Sequence, residues 1–202
     1  MSIIKLNNRS VKDITSFGSI SSLGSLTHIA TQTASSSASL SFTSGIDSTY
    51  KEYIFYFVNM HPQTDGVKFQ FNGSSDGGSN YNVTKTSSQF TAFVSEGGAG
   101  ASLEYSAGED LAQSTNFQSF VQGADLGADA DQSLSAYLHI FNPSSTTFVK
   151  HYIAVTQYSH SADYTANPYT AGYFNTTSAI NALQFKMSSG NIDSGQILLF
   201  GL

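Results

Sequence analysis

No cysteine occurs among the 202 residues, so the chain has neither a disulfide framework nor a thiolate for metal binding or nucleophilic attack. Stability has to come from packing, strand pairing and association with other chains. No stretch approaches the ~20 apolar residues that span a bilayer as a helix. The opening MSIIKLNNRSVKDIT also lacks the continuous apolar core of a secretory signal, so neither export nor membrane insertion is expected. Charge is scarce as well: Asp, Glu, Lys and Arg together make up 11% of the chain, and the formal net charge of −6 leaves no basic footprint for a general nucleic-acid role.

What is abundant is Ser, Thr, Asn and Gly, with aromatics at 13%, mostly Phe and Tyr. That balance favours strands and tight turns over helices. The length suits one main domain with a sizeable core. Residues 1–25 differ from the rest, because Lys5, Arg9 and Lys12 place three of the eight basic residues there and the Gly/Ser-rich FGSISSLGSL follows. They read as an extended arm and linker. Ile3, Ile4, Leu6, Val11 and Ile14 are too many for a solvated tail and too few for a core, so with Arg9 they mark a segment that lies on something, either its own domain or a neighbouring subunit.

From residue 26 the alternation is that of strands. SASLSFTS sets Ala38, Leu40 and Phe42 against serines, one face wet. YKEYIFYFVNM carries Tyr53, Phe55 and Phe57 on one side and Ile54, Tyr56 and Val58 on the other, which predicts a central strand covered on both faces. VKFQFNG is followed by SSDGGSNY, read as a hairpin turn. EGGAGASLEYSAGEDLAQSTN predicts a long surface loop with at most a helical turn near GEDLAQ. QSLSAYLHIFN and TTFVKHYIAVTQY pair across NPSST, and HSADYTANPYTAG reads as a Tyr-rich loop. The last segments, ALQFKM and QILLFGL, read as a closing hairpin whose terminal strand is a structural member. Nine to eleven strands without alternating helices predict an all-β fold over residues 26–202, a jelly-roll-like antiparallel β-sandwich.

Chemistry-bearing patterns are weak. His28, His139 and His151 fall in strand patterns, without Cys or a metal-protease spacing, and read as surface or satisfied histidines. Asp125, Asp129 and Asp131 offer hard oxygen ligands of the kind calcium takes, but not at EF-hand spacing, so the reading is a solvated acidic loop. Glu104, Glu109 and Asp110 would need to flank a cleft to hydrolyse a glycoside. No GxSxG elbow is present. No catalytic residue, metal or cofactor is expected. Tyr158, Tyr164, Tyr169 and Tyr173 cluster in sequence as candidates for sugar stacking or protein contact.

The segments IIKLNNRSVKD, TASSSASLSFTSGIDSTYKEYIF, DLAQSTNFQ, DQSLSAYLHIFNPSSTTFVKHY and AGYFNTTSAINALQFKMSSGNIDSGQILLFGL resemble a family of small virion structural proteins from tailed phages of marine bacteria, notably cyanophages. The resemblance spans nearly the whole chain and is most specific in its C-terminal half. It implies a non-enzymatic virion component built on a β-sandwich and assembled in the host cytoplasm. The expected role is capsid decoration or cement, docked on other virion proteins through the arm. A tail-associated receptor-binding protein that recognises a host glycan through the tyrosines is the alternative. Virion symmetry suggests a homo-oligomer such as a trimer.

Overall fold

A computed structural model describes residues 26–202. The expected arm, with Ile3, Ile4, Leu6, Arg9, Val11 and Ile14, lies outside the described residues. Twelve strands follow in chain order: β1 (Thr27–Thr33), β2 (Leu40–Phe42), β3 (Glu52–Pro62), β4 (Phe69–Ser74), β5 (Lys85–Ser95), β6 (Ala101–Tyr105), β7 (Gln118–Ser119), β8 (Leu134–Phe141), β9 (Lys150–His160), β10 (Tyr164–Phe174), β11 (Ala182–Met187) and β12 (Ile192–Gly201). Among the described residues the only helical element is a 3-10 turn at Ala107–Glu109, where the sequence predicts a helical turn.

Eight strands lie side by side in the order β1-β12-β3-β8-β9-β10-β5-β6, and a four-stranded sheet, β2-β11-β4-β7, packs against them. Every pairing within the sheets is antiparallel. With β5, β6, β9 and β10 set aside, the remaining strands nest: β1 pairs with β12, β2 with β11, β3 with β8, and β4 with β7. First with last, second with second-last, is the winding of a jelly roll, as the sequence predicts. The other four strands are two insertions that carry the large sheet beyond β8.

This winding corrects several local expectations. The closing segments are not a hairpin, because β11 belongs to the small sheet and β12 to the large one. The SSDGGSNY turn likewise crosses between sheets, from β4 to β5. There the Asp76 carboxylate accepts from the Ser74 hydroxyl at 2.6 Å and from the Asn80 backbone N–H at 2.9 Å. The expected long loop contains strand β6, and HSADYTANPYTAG is a short turn followed by β10. The terminal strand is structural as expected, held between β1 and β3 with Ile197 and Leu199 buried. β3 is central, but only its inner face is fully covered: Val58 on the other side is 43% exposed.

Where β3 meets β12 the pairing slips. Asn59 adopts φ 49° and the register with β8 shifts between Phe57 and Met60. This bulge returns Met60 to the interior, where it is fully buried. Gly195 faces the bulge at φ 121°, and a Cβ there would sit 2.7 Å from the Asn59 carbonyl oxygen. No other residue fits that approach.

Under the small sheet the core is aromatic. Phe185 on β11 has ring centroids of Phe57, Phe55 and Phe42 within 5.0, 5.2 and 6.1 Å, and those of Phe69, Phe71 and Phe120 within 6.5 Å. Beyond the reach of four strands, the inner face of β5, β9 and β10 is roofed by the segment between β6 and β8, and the interior turns polar. Thr91 and Ser106 hydroxyls meet at 3.0 Å, Ser106 donates to the Gln122 amide oxygen at 2.9 Å, and Tyr152 donates to the Gln118 amide oxygen at 3.1 Å. The fully buried Lys85 ammonium donates to the Asn72 amide oxygen at 2.5 Å and to the Val83 carbonyl at 2.9 Å.

Two outcomes test this account. Phe185→Ala should cost roughly 3–5 kcal/mol in chemical denaturation, because the ring leaves a cavity among six others. Burial also lowers the Lys85 pKa to about 7, whereas the unfolded chain holds that proton to about pH 10.4. Between those values the unfolded state binds more protons, so stability rises with pH; below pH 7 both states are protonated and the gain is absent. Denaturation midpoints measured from pH 6 to 9.5 should climb by up to about 1.4 kcal/mol per unit, and Lys85→Met should flatten the climb.

Candidate functional site

The large sheet turns one face to the core, and no described element covers the other. Strand alternation and in-register pairing place one residue of each strand in a row across that outer face: Thr31, Leu198, Tyr56, Tyr137, Val155, Tyr169, Phe90 and Tyr105. Seven of the eight are aromatic or aliphatic. Phe90 and Tyr169 stack at 5.1 Å with their planes 4° apart. A second row runs Phe200, Ile54, His139, Ile153, Ala171 and Ser88, and Phe200 packs edge-on against Tyr56 at 5.7 Å and His28 at 5.4 Å.

Charge is nearly absent from this surface. Lys85 and Lys150 alternate inward, so the paired rows carry a single carboxylate, Glu52, hydrogen-bonded to the His139 ring. Toward the β6 edge the apolar groups open to water: Phe90 is 45% exposed, Tyr105 66% and Leu103 70%. Beside the row lies a groove of about 450 Å³, lined by Ala92, Val94, Ala101, Gln157, Thr165 and Asn167. Apolar side chains therefore form an uncharged, partly exposed stretch of the outer face among the described residues.

The tyrosines predicted as receptor contacts do not gather in a loop. Tyr158 is 1% exposed, on the inner face of β9, with its hydroxyl directed at the Gln122 carbonyl at 3.3 Å. Burial raises its pKa. As a buried side chain it is withdrawn from the contact set. Tyr164 is exposed at the start of β10, near His160 at 5.4 Å. Tyr169 belongs to the outer row, and Tyr173 packs against His151 at 6.0 Å on the same face. The sequence pattern marked Tyr169 and Tyr173 but placed them in a loop, and it missed Phe90, Leu103 and Tyr105. Their signal was the alternation in SSQFTAFV and SLEY, which becomes visible only once both are taken as neighbouring strands.

Other sequence candidates stay apart. Among the described residues no three His, Asp or Glu side chains converge to hold a metal. His139 and His151 are not cross-strand partners, since His139 faces Ile153 and His151 faces Tyr173. Asp125 lies 3.4 Å from His160, while the backbone carbonyl of Asp129 meets His61 at 3.2 Å. The carboxylates near Glu104 also diverge. Glu109 is held by both oxygens to the Lys68 ammonium at 2.6 and 2.8 Å and accepts from the Gly123 N–H at 3.1 Å. Asp110 accepts from the Tyr105 hydroxyl and from the Gln89 N–H. These are structural partners for loop carboxylates.

Burial separates the tyrosines in a measurable way. Tyr158→Ala should lose about 3 kcal/mol of stability, whereas Tyr169→Ala should change it by less than about 1 kcal/mol, both read from denaturation curves. No family model, curated protein or solved structure matches the chain.

Proposed function

We propose that this protein is a non-enzymatic structural component of a tailed-phage particle, a decoration or cement protein that docks through residues 1–25 and presents the jelly-roll sandwich on the particle. The observation that carries this reading is the outer face of the eight-stranded sheet. It is wide, nearly free of charge and rich in aromatic side chains, which suits contact with other protein surfaces. The resemblance of the sequence to virion proteins of marine tailed phages supports the same role.

The arm has the composition of a docking segment. Lys5, Arg9 and Lys12 alternate with Ile3, Ile4, Leu6, Val11 and Ile14, and ordering such a segment on a partner is offset by many weak contacts. The described core runs from Ala34 to Leu199 and includes Phe185.

Immunogold labelling of purified virions with an antibody to the sandwich tests the reading. Gold over the head is the expected result; gold confined to the tail would replace it with the receptor-binding role, and unlabelled particles would sink both. Removal of residues 1–20 should leave a folded sandwich by circular dichroism that no longer co-sediments with particles. Loss of folding on that truncation would place the arm in the core instead.

A further inference from the structure

We infer that the outer face of β8, β9, β10, β5 and β6 binds a second copy of this same chain, the two copies related by a two-fold axis. The inference builds on the contact face invoked for the proposed function and names its occupant.

Shape is the first argument. Tyr137, Val155, Tyr169, Phe90 and Tyr105 form a ridge across the five strands in continuous register. The groove lined by Ala92, Ala101, Thr165 and Asn167 lies alongside it. Small side chains floor the groove because their pairs, Asn167 with Ala92 and Val94 with Ala101, stack one reduced position on another across the strands. A ridge and a parallel groove on one surface are complementary to each other when a two-fold axis lies between them. That is the condition for an isologous interface.

Charge is the second argument. The chain carries a formal net charge of −6, which opposes association of two copies wherever the acidic groups approach one another. Asp65, Asp125, Asp129, Asp131 and Asp163 all fall in connections at the ends of strands rather than on the face. Between β8 and β6 the outward positions carry no Asp, Glu, Lys or Arg. A second copy therefore meets no like charge and desolvates no ion on this surface. A partner recognised through charge would find nothing there to hold.

Area is the third. β5, β9 and β10 are each 11 residues long, β8 is 8 and β6 is 5, and at ~3.3 Å per residue and ~4.8 Å between strands they give a face of roughly 730 Å². A standard interface takes about 800 Å² from each partner. The face also ends on β6, whose five residues are all exposed and include Leu103 and Tyr105. An exposed edge strand that turns Leu103 and Tyr105 to the outer side and Glu104 to the other is open to pairing and contact with another chain.

The test is the mass of the full-length protein by sedimentation velocity and light scattering, from about 1 to 100 µM. A species of twice 21.5 kDa is expected. Ala92→Glu, which sets a charge in the groove, and Phe90→Lys, which sets one on the ridge, should each raise the dissociation constant at least 100-fold while circular dichroism stays unchanged. Ser189→Glu, in the exposed turn between β11 and β12, which are not strands of this face, should leave the dimer intact. Should both face variants misfold, Leu103→Ser and Tyr105→Ser, at well-exposed positions, supply the same comparison. A monomer at 100 µM overturns the inference, as does a trimer, or a dimer that survives every face substitution. These results are separate from the particle assay: a monomer that still labels virion heads defeats the two-fold contact and leaves the decoration role standing.

Discussion

Everything in this fold hangs on the aromatic contact between the two sheets. Phe185 stands on the second strand of the small sheet and touches rings contributed by β2, β3, β4 and the β7 neighbourhood. One fully buried phenyl ring stabilises by roughly 1.5–3 kcal/mol, and aromatic pairs add about 0.5–1.5 kcal/mol beyond burial. No disulfide supplements these terms. The contact fixes the spacing of the sheets, and that spacing lets β11 and β12 pass from one layer to the other within a few residues.

Four strands cannot cover eight, and the remainder of the structure follows from that mismatch. On the inner side, the uncovered half is closed by loop backbone, whose N–H and C=O groups need partners. Gln118 donates to the Glu109 carbonyl, Ser119 to that of Val121, Asn72 to that of Thr115 and Lys85 to that of Val83, while Thr91, Ser106 and Gln122 bond to one another, so the interior there is polar and its stability depends on pH. On the outer side, nothing in the described residues closes the sheet at all. Its residues nevertheless keep the aromatic and β-branched character of a buried face, with a continuous row from Leu198 to Tyr105.

The contrast between the two sides links the fold to the proposed role. A sheet whose free face were meant for water would alternate apolar with charged side chains. Here Lys85 and Lys150 turn inward, most carboxylates sit in the connections, and the outer face from β8 to β6 carries no charged side chain. Protein contact is the use to which such a surface is suited, and the ridge and groove near β6 give that contact a direction.

Composition and alternation alone determined the all-β class, the antiparallel sandwich of jelly-roll type and the structural terminal strand, because a period of two and a lack of helix formers leave few other ways to bury Phe and Leu. Phe55, Phe57, Leu138 and Leu199 were legible as core from that period. What only the tertiary structure decided is which strands share a sheet. The turn residues after Ser74 and Met187 look the same whether the chain folds back beside itself or crosses to the opposite layer, since φ and ψ in a Gly/Asn turn do not encode the partner. For the same reason Tyr158 could not be told from Tyr169: they differ in which face of a strand they occupy, and register is set by pairing with distant segments. The contact face was hidden in the sequence because it is assembled from eight strands that are neighbours only in space.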